Sequence, residues 1–219
     1  MSIAKKLDRK MSEKPKLIST AVLPSTGASA NITLPGDGNT LIAHANAVNM
    51  KSVYIPVVQT NGVTLPTRRI VNEDYYSLFV IGNELFNGNH FIVPKECALT
   101  ESISPELKAK YAKLDIAAIT AIKTFPAIFA SRNHQYCRAG ENQDAYLGFV
   151  DDVIIQDNGI KVCFHLLYAI SQRRLNELAC ELSIDSASAF NEFDRTHWTI
   201  KQINLIEKLR KAEDIHTLF

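Results

Sequence analysis

The chain has 219 residues, of which 46% are hydrophobic and 21% are charged. This balance is ordinary for a soluble folded protein, and nine glycines and eight prolines are too few for a fibrous or low-complexity chain. The 24 basic and 23 acidic side chains leave a net charge of +1. That charge excludes a strongly basic nucleic-acid wrapper and a strongly acidic tail protein, but it permits a local basic patch.

The first residues of the chain are basic. Residues 1–16 carry six Lys or Arg side chains against two acidic ones, and no apolar core follows, so we expect a flexible arm and no secretion signal. Apolar runs elsewhere are much shorter than the roughly 20 residues of a membrane span. The four cysteines are widely spaced and are expected to be reduced thiols. Together these features predict a cytoplasmic protein that does not contact a membrane.

Strand-like runs dominate the chain, and three of the turns between them contain Asn-Gly: Asn61-Gly62, Asn87-Gly88 and Asn158-Gly159. Both residue types tolerate the positive φ of a type I′ turn, which matches the twist of paired strands. We therefore predict antiparallel hairpins around these turns. The predicted strands are 17–23, 30–34, 53–59, 63–65, 75–85, His90–Val93, 150–156, 160–167 and 197–203.

Three helices are predicted. Ser104 and Pro105 form a helix start, and apolar residues at spacings of three and four continue to Ile122, which predicts one helix over 105–123. A second helix is expected after Ser171 as its N-cap, and a third near Asn204. The order of elements favours the α+β class with mainly antiparallel β-hairpins and about three helices.

The predicted domain organisation has three parts. Residues 1–16 form the basic arm, 17–104 a β-rich N-terminal lobe and 105–219 a C-terminal α+β lobe. The alternative is that the two lobes are one continuous domain, because nothing in the sequence shows whether they share a core.

Metal chemistry has two candidate patterns. His134 and Cys137 are three residues apart, and Cys163 and His165 are two apart on a predicted strand. If the two pairs met, they would supply the four ligands of a zinc site. The alternative is a core cysteine and a hydrogen-bonded strand histidine, and we expect no bound metal or other cofactor.

Two weak catalytic hypotheses remain. In the first, Arg138 lowers the pKa of the Cys137 thiol and a histidine acts as its base. In the second, Asp152 and Lys161, with Asp151 and Asp157 nearby, hold Mg²⁺ or Mn²⁺ for hydrolysis of nucleic acid or nucleotides. The alternatives are an ordinary loop cysteine and an Asp157 that only forms a turn.

A binding surface is the preferred hypothesis. Arg and aromatic side chains together are suited to stacking on bases or to anchoring a protein partner. The alternative for Trp198 is a core position, because Trp is highly buried on average. We therefore predict a cytoplasmic binding or regulatory protein, with no catalytic role, that acts through a protein or a nucleic acid. Its predicted binding residues are Arg132, His134, Tyr136, Arg138, Arg195 and Trp198.

Overall fold

A computed structural model describes residues 49–58, 64–187 and 190–212. These belong to the unit Val48–Phe219, one of two units into which the chain divides; the other is Met1–Ala47. The predicted basic arm and the predicted strands at 17–23 and 30–34 lie outside the described residues, as does Asn61-Gly62.

The described part of the chain contains ten strands and four helices. The strands are β1 (Met50–Val58), β2 (Thr64–Asn72), β3 (Tyr76–Val80), β4 (His90–Val93), β5 (Pro126–Ala130), β6 (Asp144–Gln156), β7 (Gly159–Ser171), β8 (Ser186–Ala187), β9 (Phe190–Asn191) and β10 (His197–Lys201). The helices are α1 (Pro105–Tyr111), α2 (Ile116–Ile122), α3 (Gln172–Glu177) and α4 (Leu205–Lys211). This mixture of strands and helices agrees with the predicted α+β class.

The main sheet has six strands in the order β10-β3-β5-β6-β7-β4. Four of its five neighbouring pairs in the described residues are antiparallel, and β3 and β5 are parallel. Helices α1 and α2 lie in the connection from β3 to β5, because a parallel pair requires a crossover. Strands from both sides of residue 104 therefore share this sheet.

The predicted hairpins have different outcomes. Strands β1 and β2 pair antiparallel, as do β6 and β7. The hairpin predicted around Asn87-Gly88 is wrong, because β3 pairs with β5 and β10 whereas β4 pairs with β7.

The turn between β6 and β7 differs from the predicted type I′ turn. Gln156 pairs with Gly159, so Asp157 and Asn158 are the central residues, and neither has a positive φ. Gly159 has a φ of 146°, and a Cβ atom there would lie 2.6 Å from Ile92 Cγ2 in β4. Glycine is therefore required here by the close approach of β4.

The predicted helix over 105–123 is two helices. Ser104 caps α1 through its side chain, as predicted, but Leu114 has a φ of 50° and Asp115 caps a new helix, α2. The apolar spacing continues across this break, since Tyr111, Leu114 and Ala118 are all buried. Helices α3 and α4 begin after Ser171 and Asn204, as predicted. No helix in the described residues is long and apolar enough to cross a membrane.

Each face of the main sheet has its own hydrophobic cluster. One cluster joins side chains of the β1–β2 hairpin, including Val53 and Ile55, to residues of the α3 and α4 regions such as Leu175 and Leu209. The other cluster contains the buried residues of α1 and α2 and a group of aromatic rings around Phe79. Since strands β3 and β5 are covered on both faces, all their residues are buried.

Candidate functional site

The loop formed by residues 131–140, which follows β5, carries four of the predicted binding residues. Arg132, His134, Tyr136 and Arg138 are all exposed. They line one cavity of about 720 Å³, whose other lining residues are Asn133, Gln135 and Asp194. We call these seven residues the loop cavity.

A tight turn carries Tyr136. The backbone N–H of Gln135 donates to the carbonyl of Arg138 at 3.1 Å, and the N–H of Arg138 donates back to Gln135 at 2.9 Å. Tyr136 and Cys137 are the two central residues, and Cys137 has a φ of 56°. Since the turn is closed by two hydrogen bonds, Tyr136 is presented with 76% of its surface exposed.

The carboxylate of Asp194 fixes this turn to a distant part of the chain. It accepts the N–H of Cys137 at 2.9 Å and the N–H of Asn191 at 2.6 Å. The side-chain amide of Asn133 donates to the same carboxylate at 2.8 Å. The hydrogen-bonding capacity of Asp194 is therefore used within the protein, although it lines the cavity.

Buried amide side chains hold the rest of the loop. Gln172, at the start of α3, is fully buried and donates to the Ser131 carbonyl and to Asn133 Oδ1, both at 2.9 Å. Gln143 donates to the carbonyl of Arg132 at 2.7 Å. The loop backbone is thus positioned by three segments of the chain, which restricts its motion before any ligand arrives.

The basic side chains of the loop cavity have no internal counter-charge. Within the described residues, Arg132, His134 and Arg138 make no ion pair, whereas Arg69 and Arg195 each bind a carboxylate at 3.0 Å. Arg132 also lies against Gly82, where an added Cβ would be 2.8 Å from Nε. The cavity therefore presents two guanidinium groups that are available to an anionic ligand.

A smaller cavity of about 300 Å³ also includes Arg138 in its lining. Arg173, from α3, adds a second guanidinium there. Glu177 is the acidic residue of this lining, and its carboxylate is 3.0 Å from Arg174 Nη1. Basic groups thus continue from the loop cavity into this second cavity through Arg138.

Cys137 does not have the environment of an activated thiol. Burial raises its pKa first, and the negative charge and hydrogen bond of Asp194 raise it further. The expectation that Arg138 would lower this pKa is therefore wrong, because Asp194 is the charged group that dominates near the sulfur.

The other two predicted binding residues lie away from the loop cavity lining. Trp198 in β10 is fully buried and stacks on Phe79, with the ring centroids 5.0 Å apart. It is a core residue, so its predicted role as an exposed anchor is wrong. Arg195 is half-buried and binds Glu101 at 3.0 Å and Ser102 Oγ at 3.0 Å, which ties the segment before β10 to the segment before α1.

A buried charged cluster lies on and before β10, and the sequence predictions did not include it. Glu192 is 1% exposed, with Lys201 Nζ 2.7 Å from Oε1 and His197 Nε2 3.2 Å from Oε2. Burial opposes ionisation of Glu192, but the His197 hydrogen bond and the Lys201 charge outweigh it, so its pKa lies below the ordinary value. Lys201 also donates to the Ser102 carbonyl at 3.0 Å. These contacts identify the cluster as a structural tie between elements.

Asp151 and His165 form a second charged group. His165 Nδ1 is 2.7 Å from Asp151 Oδ1, and Arg69 Nη1 from β2 is 3.0 Å from the same oxygen. Burial opposes ionisation of Asp151, but the hydrogen bonds and charges of His165 and Arg69 lower its pKa overall. Since Arg69 also donates to the backbone carbonyls of Lys123 and Val150, this group fastens the β1–β2 hairpin to the main sheet.

The carboxylates of the hydrolase hypothesis point to different partners. Asp151 binds His165 and Arg69, Asp152 is 3.8 Å from Lys123, and Asp157 lies in the β6–β7 turn. Lys161 pairs in register with Ile154, and Asp152 with Cys163.

The potential metal ligands do not assemble in the part of the chain that the structure describes. No three His, Cys, Asp or Glu side chains there are grouped so that they could hold a metal ion. The group of His134, Cys137, Cys163 and His165 that a zinc site requires is therefore not formed. The four cysteines are free thiols.

Sequence reasoning missed several residues of the loop cavity and its neighbour. Asn133 and Gln135 could have been included because they lie within the same polar segment as Arg132 and Tyr136. Asp194 and Arg173 could not, because each reaches the loop only through the tertiary fold. Comparison with known proteins finds no matching family model, no matching curated protein and no matching solved structure.

Proposed function

We propose that the protein is a cytoplasmic binding protein without catalytic activity, and that its loop cavity binds nucleic acid. The observation that carries the proposal is the grouping of Arg132 and Arg138 around an exposed Tyr136, with no ion pair to any described residue. The four free cysteines support a reducing compartment.

The charge arrangement supports an anionic ligand. A guanidinium group binds phosphate oxygens through two parallel hydrogen bonds, and this geometry is available only where the group is not already paired. Asp194 is the acidic residue of the lining, and its oxygens already accept hydrogen bonds from Cys137, Asn191 and Asn133. With a net charge of +1 for the whole chain, attraction to a polyanion would be local and sensitive to salt.

The rigidity of the loop supports a binding role. Ligands bind more tightly to side chains that are already positioned, because less conformational entropy is lost on association. Gln172 and Asp194 hold the backbone on both sides of the turn that carries Tyr136. A nucleic acid is favoured over a protein partner, because paired guanidinium groups beside an aromatic ring match both the phosphates and the bases.

The test compares two double variants of equal charge. Arg132→Ala with Arg138→Ala removes the basic groups of the loop cavity, and Arg68→Ala with Arg210→Ala removes two exposed guanidinium groups that line neither cavity. Binding to a mixture of labelled DNA and RNA oligonucleotides is measured at low salt. We expect the first variant to lose binding at an unchanged melting temperature, and the second to retain it.

Two results would count against this proposal. Equal binding by the two double variants would mean that the ligand binds elsewhere. Absence of binding by the wild-type protein, together with capture of a purified protein ligand that requires Arg132 and Arg138, would make the partner a protein.

A further inference from the structure

The two neighbouring cavities form a path for a chain of phosphates, and this path rests on the proposed function of the loop. Arg138 lines both cavities, Arg132 lines the larger one and Arg173 lines the smaller one. A single anion would need only one cavity, whereas a phosphodiester chain carries a charge at every nucleotide. Three basic groups in two connected cavities therefore fit an extended ligand better than a mononucleotide.

Tyr136 supplies the feature that distinguishes a single strand from a duplex. Its ring is 76% exposed at a turn closed by two backbone hydrogen bonds. Every base has a flat face that can stack on an aromatic ring, but in a duplex both faces are covered by neighbouring bases. An exposed ring among phosphate-binding groups is thus useful only for a strand with unpaired bases.

The shape of the site points in the same direction. The larger cavity is lined by the 131–140 loop and Asp194, and no helix contributes to its lining among the described residues. The helices in the described residues have at most seven residues. A duplex is normally read by a helix or a strand ribbon placed in a groove, whereas a concave loop surface accepts a base that is turned out of the stack.

We propose that the protein binds single-stranded nucleic acid, with the phosphates along Arg132, Arg138 and Arg173 and one base stacked on Tyr136. Acidic groups do not block this path, because Glu177 is paired with Arg174 and Asp194 with backbone N–H groups. Stacking on one aromatic ring changes affinity by about 5- to 100-fold when the ring is removed.

The experiment measures fluorescence anisotropy of a labelled 12-nucleotide oligo-dT, the same length of oligo-U, and a 12-base-pair DNA duplex. The proteins are wild type, Tyr136→Phe, Tyr136→Ala and Arg173→Ala. We expect both single strands to bind at least about tenfold more tightly than the duplex, since only unpaired bases can stack. Tyr136→Phe should retain this preference, Tyr136→Ala should lose it, and Arg173→Ala should weaken single-strand binding.

The outcomes separate this inference from the proposed function. Equal affinity for single strands and duplex, or a Tyr136→Ala variant that binds like wild type, would overturn the single-strand inference while nucleic-acid binding remained. No binding of any probe at low salt would overturn both. Unchanged melting temperatures of the variants are expected, because Tyr136 and Arg173 are exposed.

Discussion

Asp194 accepts the backbone N–H of Cys137 with both carboxylate oxygens, at 2.9 and 3.1 Å. The two residues are 57 positions apart in the sequence, so this contact connects the exposed turn to the segment before β10. It also satisfies a backbone donor next to a residue with positive φ. The display of Tyr136 consequently depends on a carboxylate that is far away in the chain.

Removal of this carboxylate should loosen the turn. Asp194→Ala leaves the N–H groups of Cys137 and Asn191 without their acceptor, which costs about 1–3 kcal/mol for a partly buried donor. We expect a lower free energy of unfolding in urea and weaker nucleic-acid binding. Asp194→Asn keeps an acceptor oxygen and should lose less stability. Wild-type stability of the alanine variant would contradict this role.

A pair of glycine variants tests the position of Arg132. A Cβ atom at Gly82 would lie 2.8 Å from Arg132 Nε, whereas one at Gly140 would lie 3.7 Å from its nearest neighbour, Gln143 Cβ. Gly82→Ala should displace the guanidinium and weaken binding to the level of Arg132→Ala. Gly140→Ala should bind like wild type. Both are measured by anisotropy, and equal effects of the two alanines would show that this packing does not matter.

The buried Glu192 should contribute to stability in a pH-dependent way. Its pKa is lowered below the ordinary value of 4.5, so its contribution is complete above that pH and is lost as the pH falls through the lowered pKa. Glu192→Gln leaves the Lys201 ammonium without its counter-charge, which costs about 3–5 kcal/mol for a buried pair. The loss should be largest at neutral pH and smaller in acid.

Urea unfolding from pH 7 to pH 3 provides the measurement for Glu192. Glu181→Gln serves as the control, because Glu181 is exposed and its removal should change stability little at any pH. A constant difference between Glu192→Gln and wild type across this range would show that ionisation of Glu192 does not stabilise the fold.

Local patterns predicted some elements well and failed where tertiary pairing decided the result. The β6–β7 hairpin was predictable because its two strands are adjacent in sequence and joined by a short turn. Strand β5 was missed because its five residues are all buried, so they lack the alternation that marks a half-exposed strand. Asp115 was the available signal for the helix break, since an acidic N-cap starts α2.

The candidate site shows the same limit. Arg132, His134, Tyr136 and Arg138 lie together because they are neighbours in one short segment. Trp198 was placed on the surface by its polar neighbours, but every residue of β10 is buried. No sequence pattern could indicate that Asp194 would supply the acceptor for the Cys137 N–H.

The salt dependence of oligo-dT binding tests the central claim most directly, because each phosphate contact releases condensed counterions. For a single strand, the slope of log K against log salt concentration changes by about 0.7 for each contact. The account predicts that Arg132→Ala with Arg138→Ala makes the slope shallower by about 1.4, whereas Arg68→Ala with Arg210→Ala leaves it unchanged. A slope equal to that of wild type in the loop variant would contradict the claim that these two arginines bind phosphates.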